Sequence, residues 1–106
     1  MIIIVFGLPA TGKSWFSRGL SVNIKAIHLN TDKIREQMDM KGEYDKQSKQ
    51  KVYDELKYQT RKHLVKGKNV IVDGTFHKKE RRNEFKELAG ELKKPLFLIE
   101  MNLQIK

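Results

Sequence analysis

The chain has 106 residues, enough for one domain with one core and too few for two. Hydrophobic residues make up 39% and charged residues 33%. No stretch approaches the roughly 20 apolar residues of a membrane helix, and there is no cysteine, so membrane spans, disulfides, zinc-thiolate sites and thiol nucleophiles are excluded. The net charge of +9 points to acidic partners, and residues 44–68 hold eight Lys/Arg against three acids. The first apolar run has no basic residues before it and no cleavage site after it, so it is not a signal peptide. A cytoplasmic protein with no membrane partner is the expectation.

In chain order, Ile2 to Phe6 is a β-branched and aromatic run bounded by Gly7 and Pro9, as in a strand buried on both faces of a parallel sheet. Lys13 to Leu20 starts a helix, with Gly19 weakening its end and Trp15 expected to pack beneath the preceding loop. Ala26 to Leu29 is a short second strand. Asn30 or Thr31 caps a helix reaching Met38 or Met40, and Gly42 breaks it. Residues 46–66 read as a long basic helix with Val52, Tyr53, Leu56, His63 and Leu64 near one stripe, stopped by Gly67. His63 reads as a packed or surface residue rather than an acid or ligand.

NVIVD, residues 69–73, is a third buried strand. A helix from Lys78 places Phe85, Leu88, Ala89 and Leu92 on one face, and LFLIEM, residues 96–101, is a fourth strand. Alternating strands and helices imply right-handed crossovers and a parallel sheet covered on both faces. One domain spans 1–106, and it reads as incomplete at its C-terminus, where another covering helix is expected. If the last strand lies at an edge, it could pair with a second copy.

Three motifs carry chemistry. In GLPATGKS, residues 7–14, the glycines let backbone amides curl around phosphate oxygens, and the following helix N-terminus adds partial positive charge. Gly7, Pro9, Ala10, Thr11, Gly12, Lys13, Ser14 and Trp15 are the expected nucleotide contacts, with Lys13 at the β and γ phosphates and Ser14 on Mg²⁺. Asp73 ends a strand beside that loop, where it can hold Mg²⁺ through water or merely cap the next turn. Asp32 and Arg35 in TDKIR share one side of a helix. They can act as a proton acceptor and a substrate clamp, and cap chemistry with an i,i+3 ion pair explains them equally well. His28 and His77 have no metal-ligand partners at useful spacing.

GLPATGKS, TDKIR and VIVDGTFHKKERR, in this order and spacing, resemble the P-loop kinases that include polynucleotide 5′-hydroxyl kinases, zeta toxins and gluconate kinases. The resemblance covers nearly the whole chain. It implies a three-layer α/β P-loop NTPase core of kinase type, with about four parallel strands in the order 2-3-1-4, and ATP as phosphoryl donor. It further implies Asp32 as general base, Lys13 and Arg35 as catalytic partners, and a hydroxyl acceptor, either a polynucleotide 5′-hydroxyl or a small molecule. Arg82 matches an arginine that the family carries on the helix after the Asp73 strand, for substrate contact or ion pairing.

Two departures stand out. Thr75-Phe76 occupies positions where many relatives have Thr-Asn, so an amide contact near the acceptor is expected to be missing. The family's arginine-bearing lid and fifth strand follow the fourth strand, and this chain ends before them, as in a truncated kinase with weak turnover. The alternative reading is a basic nucleotide- or nucleic-acid-binding module without transfer activity. Its contact surface would be the 46–66 helix, whose aromatics other than Tyr53 and Tyr58 are few.

Overall fold

A computed structural model of the chain describes residues 1–8 and 11–102. Its elements run β1 (Ile2–Gly7), α1 (Lys13–Ile24), β2 (Ile27–Asn30), α2 (Thr31–Gln37), α3 (Lys46–Val65), β3 (Val70–Gly74), α4 (Lys79–Leu92) and β4 (Leu96–Met101). The four strands form one parallel sheet in the order β2-β3-β1-β4, the order that the family resemblance implies.

Because strand side chains alternate, each strand supplies two faces. Ile2, Ile4, Val70 and Val72 point to one side, where Val52, Leu56 and Leu64 of α3 and Phe85, Leu88 and Ala89 of α4 cover them. Ile3, Val5 and Ile71 point to the other, under Phe16, Leu20 and Ile24 of α1. Helices on both faces make three layers, and they explain why the central strands read as unbroken apolar runs. β4 has β1 on one side and no strand on the other among the described residues, and its Phe97 and Leu98 are exposed.

α1 does not weaken at Gly19 but runs on to Ile24 and closes at Lys25 in the left-handed conformation. Gly19 is exposed, and its cost of about 1 kcal/mol relative to alanine is offset by the packing of Leu20 and Ile24 on the sheet. α2 ends at Gln37, five residues before Gly42. Along α3 the buried stripe is Val52, Tyr53, Leu56, Thr60 and Leu64. Tyr53 is therefore a core residue, and of the two tyrosines considered for a nucleic-acid contact on this helix only Tyr58 is exposed. No helix among the described residues is long and apolar enough to cross a membrane.

β1 ends on Gly7, which pairs with Met101 of β4 at φ +138°. A Cβ there would lie 1.9 Å from the Met101 carbonyl oxygen, so backbone would have to move. Gly7→Ala is expected to cost about 3 kcal/mol or more in urea denaturation, combining overpacking with a disfavoured φ.

His63 on α3 is half-buried, and its Nδ1 is buried without a partner among the described residues. Burial, with Lys66, Lys68 and Lys62 nearby, presses its pKa below the ordinary 6.5. The unfolded chain therefore binds this proton more readily, and native stability falls as the pH drops through about 6.5. The loss of urea midpoint between pH 7.5 and pH 5.5 should be smaller in His63→Gln than in the parent chain.

Candidate active site

The site lies at the C-terminal ends of β1, β2 and β3, and strand register assembles it. Asn30 of β2 sits opposite Asp73 of β3, and Asp73 opposite Val5 of β1. Like Val5, the Asp73 and Asn30 side chains face the α1 layer, where Ser14 is the second residue of the helix. The Asn30 amide donates to Asp73 Oδ1 at 2.6 Å and to Ser14 Oγ at 3.0 Å. Its Oδ1 accepts the Lys33 backbone N–H at 3.0 Å and so caps α2. That cap fixes which way the amide points, because only its oxygen can serve the helix. Asp73, 1% exposed, also meets His28 Nε2 through Oδ2. His28 lies two residues before Asn30 and so on the same face of β2.

The loop before α1 turns at Gly12, which adopts φ 84°. Thr11 Oγ1 and Lys13 Nζ both donate to the Leu8 carbonyl, at 2.9 and 2.8 Å. Burial lowers the Lys13 pKa from 10.5, opposed by the Asp73 and Asp32 carboxylates. Pro9 and Ala10, expected among the nucleotide contacts, lie outside the described residues.

Arg35 Nη1 donates to Asp32 Oδ1 at 2.8 Å. The two side chains differ sharply, Arg35 being 5% exposed and Asp32 71%. The Arg35 guanidinium lies 4.4 Å from the centroid of the Tyr44 ring. Arg35 is thus held from two sides while the carboxylate remains open to the cleft.

Beyond β3, Phe76 adopts φ +45°, an uncommon conformation for a bulky residue. Its ring is fully buried, edge-to-face against Tyr53 and Phe85. Its N–H donates to Tyr53 Oη at 3.0 Å, and its carbonyl accepts from Arg82 Nη1 at 2.7 Å. Phe76 therefore serves the core, while its neighbours Thr75 and His77 line the cleft. Arg82 is occupied with that carbonyl and with the Phe6 ring at 4.8 Å, and it is not among the cleft-lining residues.

These strand ends surround a cleft of about 620 Å³, within the range of small-molecule sites. Gly12, Lys13, Ser14, Asp32, Arg35, Asp73 and Thr75 all line it. Gly7 and Thr11 shape the loop without lining the cleft. Trp15 does not pack beneath the loop: it is 73% exposed and lines the cleft, because Phe16, Leu20 and Ile24 form the face of α1 that covers the sheet. Tyr44, Lys49 and the bridging role of Asn30 escaped sequence reasoning, which considered His28 and His77 only as metal ligands and set them aside. For His28 and Asn30 a signal existed, since two polar residues alternate at the end of a strand whose neighbour ends in Asp73.

A glycine-rich loop between the first strand and a helix, with a carboxylate ending the adjacent parallel strand, defines a P-loop kinase-like domain. The chain belongs to the AAA domain family, whose model matches residues 2–103. It is 35% identical over 97 residues to L-seryl-tRNA(Sec) kinase of Methanococcus maripaludis, an alignment covering 86% of this chain and 36% of that enzyme. Its fold matches a kinase-like protein from Chloroflexus aurantiacus with a TM-score of 0.78 and 25% identity, covering 94% of this chain and 58% of the other. It also matches a chain of the Pnkp1/Rnl/Hen1 RNA repair complex, with a TM-score of 0.80 and 18% identity, covering 96% of this chain and 33% of the other. The chain thus spans about a third of the curated relative's length.

Asn30→Ala removes the α2 cap, worth about 1 kcal/mol, and leaves Asp73 Oδ1 buried without its donor, worth about 1–3 kcal/mol. A loss of about 2–4 kcal/mol in chemical denaturation is the expected outcome. A loss below 0.5 kcal/mol would show that Asn30 does not hold the strand ends together.

Proposed function

We propose that this domain is an ATP- and Mg²⁺-dependent phosphotransferase acting on a hydroxyl group borne by a nucleic acid. The observation that carries the reading is the convergence of Lys13, Ser14, Asp73, Asp32 and Arg35 on one cleft at the ends of parallel strands. The net charge of +9 favours a polyanionic acceptor. Two similar proteins point the same way by name, one a seryl-tRNA kinase and one part of an RNA repair complex.

Lys13 exchanges its bond to the Leu8 carbonyl for the β and γ phosphate oxygens, and the N-terminus of α1 faces the same charge. For Mg²⁺ the oxygens available are the exposed Ser14 hydroxyl and the Asp73 carboxylate. No cluster of three His, Cys, Asp or Glu that could hold a metal occurs among the described residues. This donor set suits Mg²⁺, which takes one or two protein oxygens and completes its shell with phosphates and water. Ser14 would bind it directly and Asp73 through water; when bound, the ion neutralises charge on the phosphates.

Asp32 accepts the proton of the acceptor hydroxyl as its oxygen attacks the γ-phosphorus in line. The bond from that phosphorus to the β–γ bridging oxygen breaks, and ADP leaves. Arg35, held by Asp32 and Tyr44, orients the acceptor. Catalysis then rests on position and charge neutralisation, since the protein forms no covalent intermediate.

The test is MgATP calorimetry together with [γ-³²P]ATP transfer to oligonucleotides, nucleosides and sugar acids. Asp32→Asn should lower transfer by about 10²- to 10⁴-fold while MgATP affinity stays within about threefold. Lys13→Ala should weaken MgATP binding itself. Parent-level transfer by Asp32→Asn would remove Asp32 as the base.

A further inference from the structure

Trp15 is the one tryptophan of the chain and lies at the third position of α1, with most of its indole in solvent. An exposed large apolar residue standing alone is ordinary. Trp15 does not stand alone, because Tyr44, 56% exposed, lines the same cleft, and Lys49 of α3 lines it as well. Only Trp15 and Tyr44 of the exposed large aromatics among the described residues line this cleft; Tyr58 and Phe97 do not. The cleft therefore has a phosphate-binding end at Gly12, Lys13 and Ser14, a carboxylate and guanidinium at Asp32 and Arg35, and two aromatic rings.

Local charge indicates what those rings receive. Tyr44 has the Arg35 guanidinium over its ring at 4.4 Å and Lys49 lines the same cleft, so positive charge beside the rings suits a ligand that also carries phosphate. The exposed rings themselves offer flat apolar faces, which suit a planar uncharged group. A nucleobase is uncharged, planar, and tied to both a hydroxyl-bearing sugar and phosphates.

We infer that Trp15 and Tyr44 form a stacking shelf for the nucleobase beside the acceptor hydroxyl, borne on a free nucleoside or on an unpaired nucleic-acid end. The inference rests on the kinase reading above and gives its acceptor a residue-level subsite. Arg35 stiffens the shelf by stacking on Tyr44 while it bonds Asp32, so one guanidinium couples ring position to base position.

With a single tryptophan, indole fluorescence reports this locus alone. The 106-residue chain is first saturated with MgADP, with calorimetry recording whether nucleotide binds, and is then titrated with adenosine, a single-stranded 5′-hydroxyl oligonucleotide and gluconate. Both nucleobase probes should quench the indole beyond the MgADP level, and gluconate should not. Quenching by the oligonucleotide at about tenfold lower concentration than adenosine assigns the shelf to nucleic acid, and equal concentrations assign it to a nucleoside. By anisotropy of a 3′-labelled oligonucleotide, Trp15→Ala and Tyr44→Ala should each bind about tenfold more weakly, and Trp15→Phe within about threefold of the parent. Thermal melts of the variants check that each is folded. Absence of MgADP binding would sink the kinase reading itself. MgADP binding with no further quench, or parent-like oligonucleotide affinity in folded Trp15→Ala, would overturn the shelf alone.

Discussion

The arrangement of this site depends on one side-chain amide. Asn30 ends β2, and its two ends do different work: the oxygen caps α2, while the nitrogen joins Asp73 of β3 to Ser14 of α1. Three elements from both layers and the sheet thus meet at one residue. The cap sets the amide orientation, and that orientation decides whether Ser14 and Asp73 face a donor or another acceptor. With the oxygen turned inward, it would meet the buried Asp73 carboxylate acceptor to acceptor, and the α2 N-terminus would lose its partner. The position of Asp32, two residues on, follows from the same cap. Spacing between the metal-binding oxygens and the proposed base is therefore set by backbone register and one amide.

A second constraint comes from the strained turn after β3. Phe76 holds a left-handed conformation that asparagine tolerates far better than phenylalanine. Here the cost is offset by full burial of the ring against Tyr53 and Phe85, and by bonds to both its backbone polar groups. The turn sends Phe76 into the core and its neighbours Thr75 and His77 to the cleft. Gly74 supports the same corner, because a Cβ there would lie 2.7 Å from Thr31 Cγ2 and 3.3 Å from Tyr53 Oη. α2 and α3 can approach the end of β3 this closely only because that position carries no side chain. Arg82, which the family resemblance offers for substrate contact or ion pairing, is engaged with the Phe76 carbonyl of this turn.

Strand and helix order and the phosphate loop were legible because each has a local signature: β-branched runs, glycine spacing and 3.6-residue periodicity; sheet order came only with the family resemblance. LFLIEM reads as β4 over the residues it occupies, and of the two cap candidates Asn30 and Thr31 the structure uses Asn30. Tertiary packing decided the rest. Trp15 is apolar, and in sequence it is indistinguishable from the core face of α1 that begins one residue later. The His28 contact with Asp73 spans 45 residues and depends on a parallel register that no local pattern encodes. Tyr44 and Lys49 reach the cleft from beyond α2, along a path set by the turn at Asp39 and Gly42, both at positive φ.

The cleft also combines rigid and exposed groups in a consistent way. Asp73 and Arg35 are buried and held by more than one partner, whereas Asp32, Ser14, Trp15 and Tyr44 are exposed. The two groups held by several partners are thus withdrawn from water, while the proposed base, the Ser14 hydroxyl and the two rings remain accessible. Desolvating Arg35 alone would be costly. Its contacts with Asp32 on one side and Tyr44 on the other reduce that cost while leaving the carboxylate open. A ligand stacking on Tyr44 would cover more of this pair and strengthen its electrostatics by excluding water, so acceptor binding and the positioning of Asp32 would be coupled through Arg35.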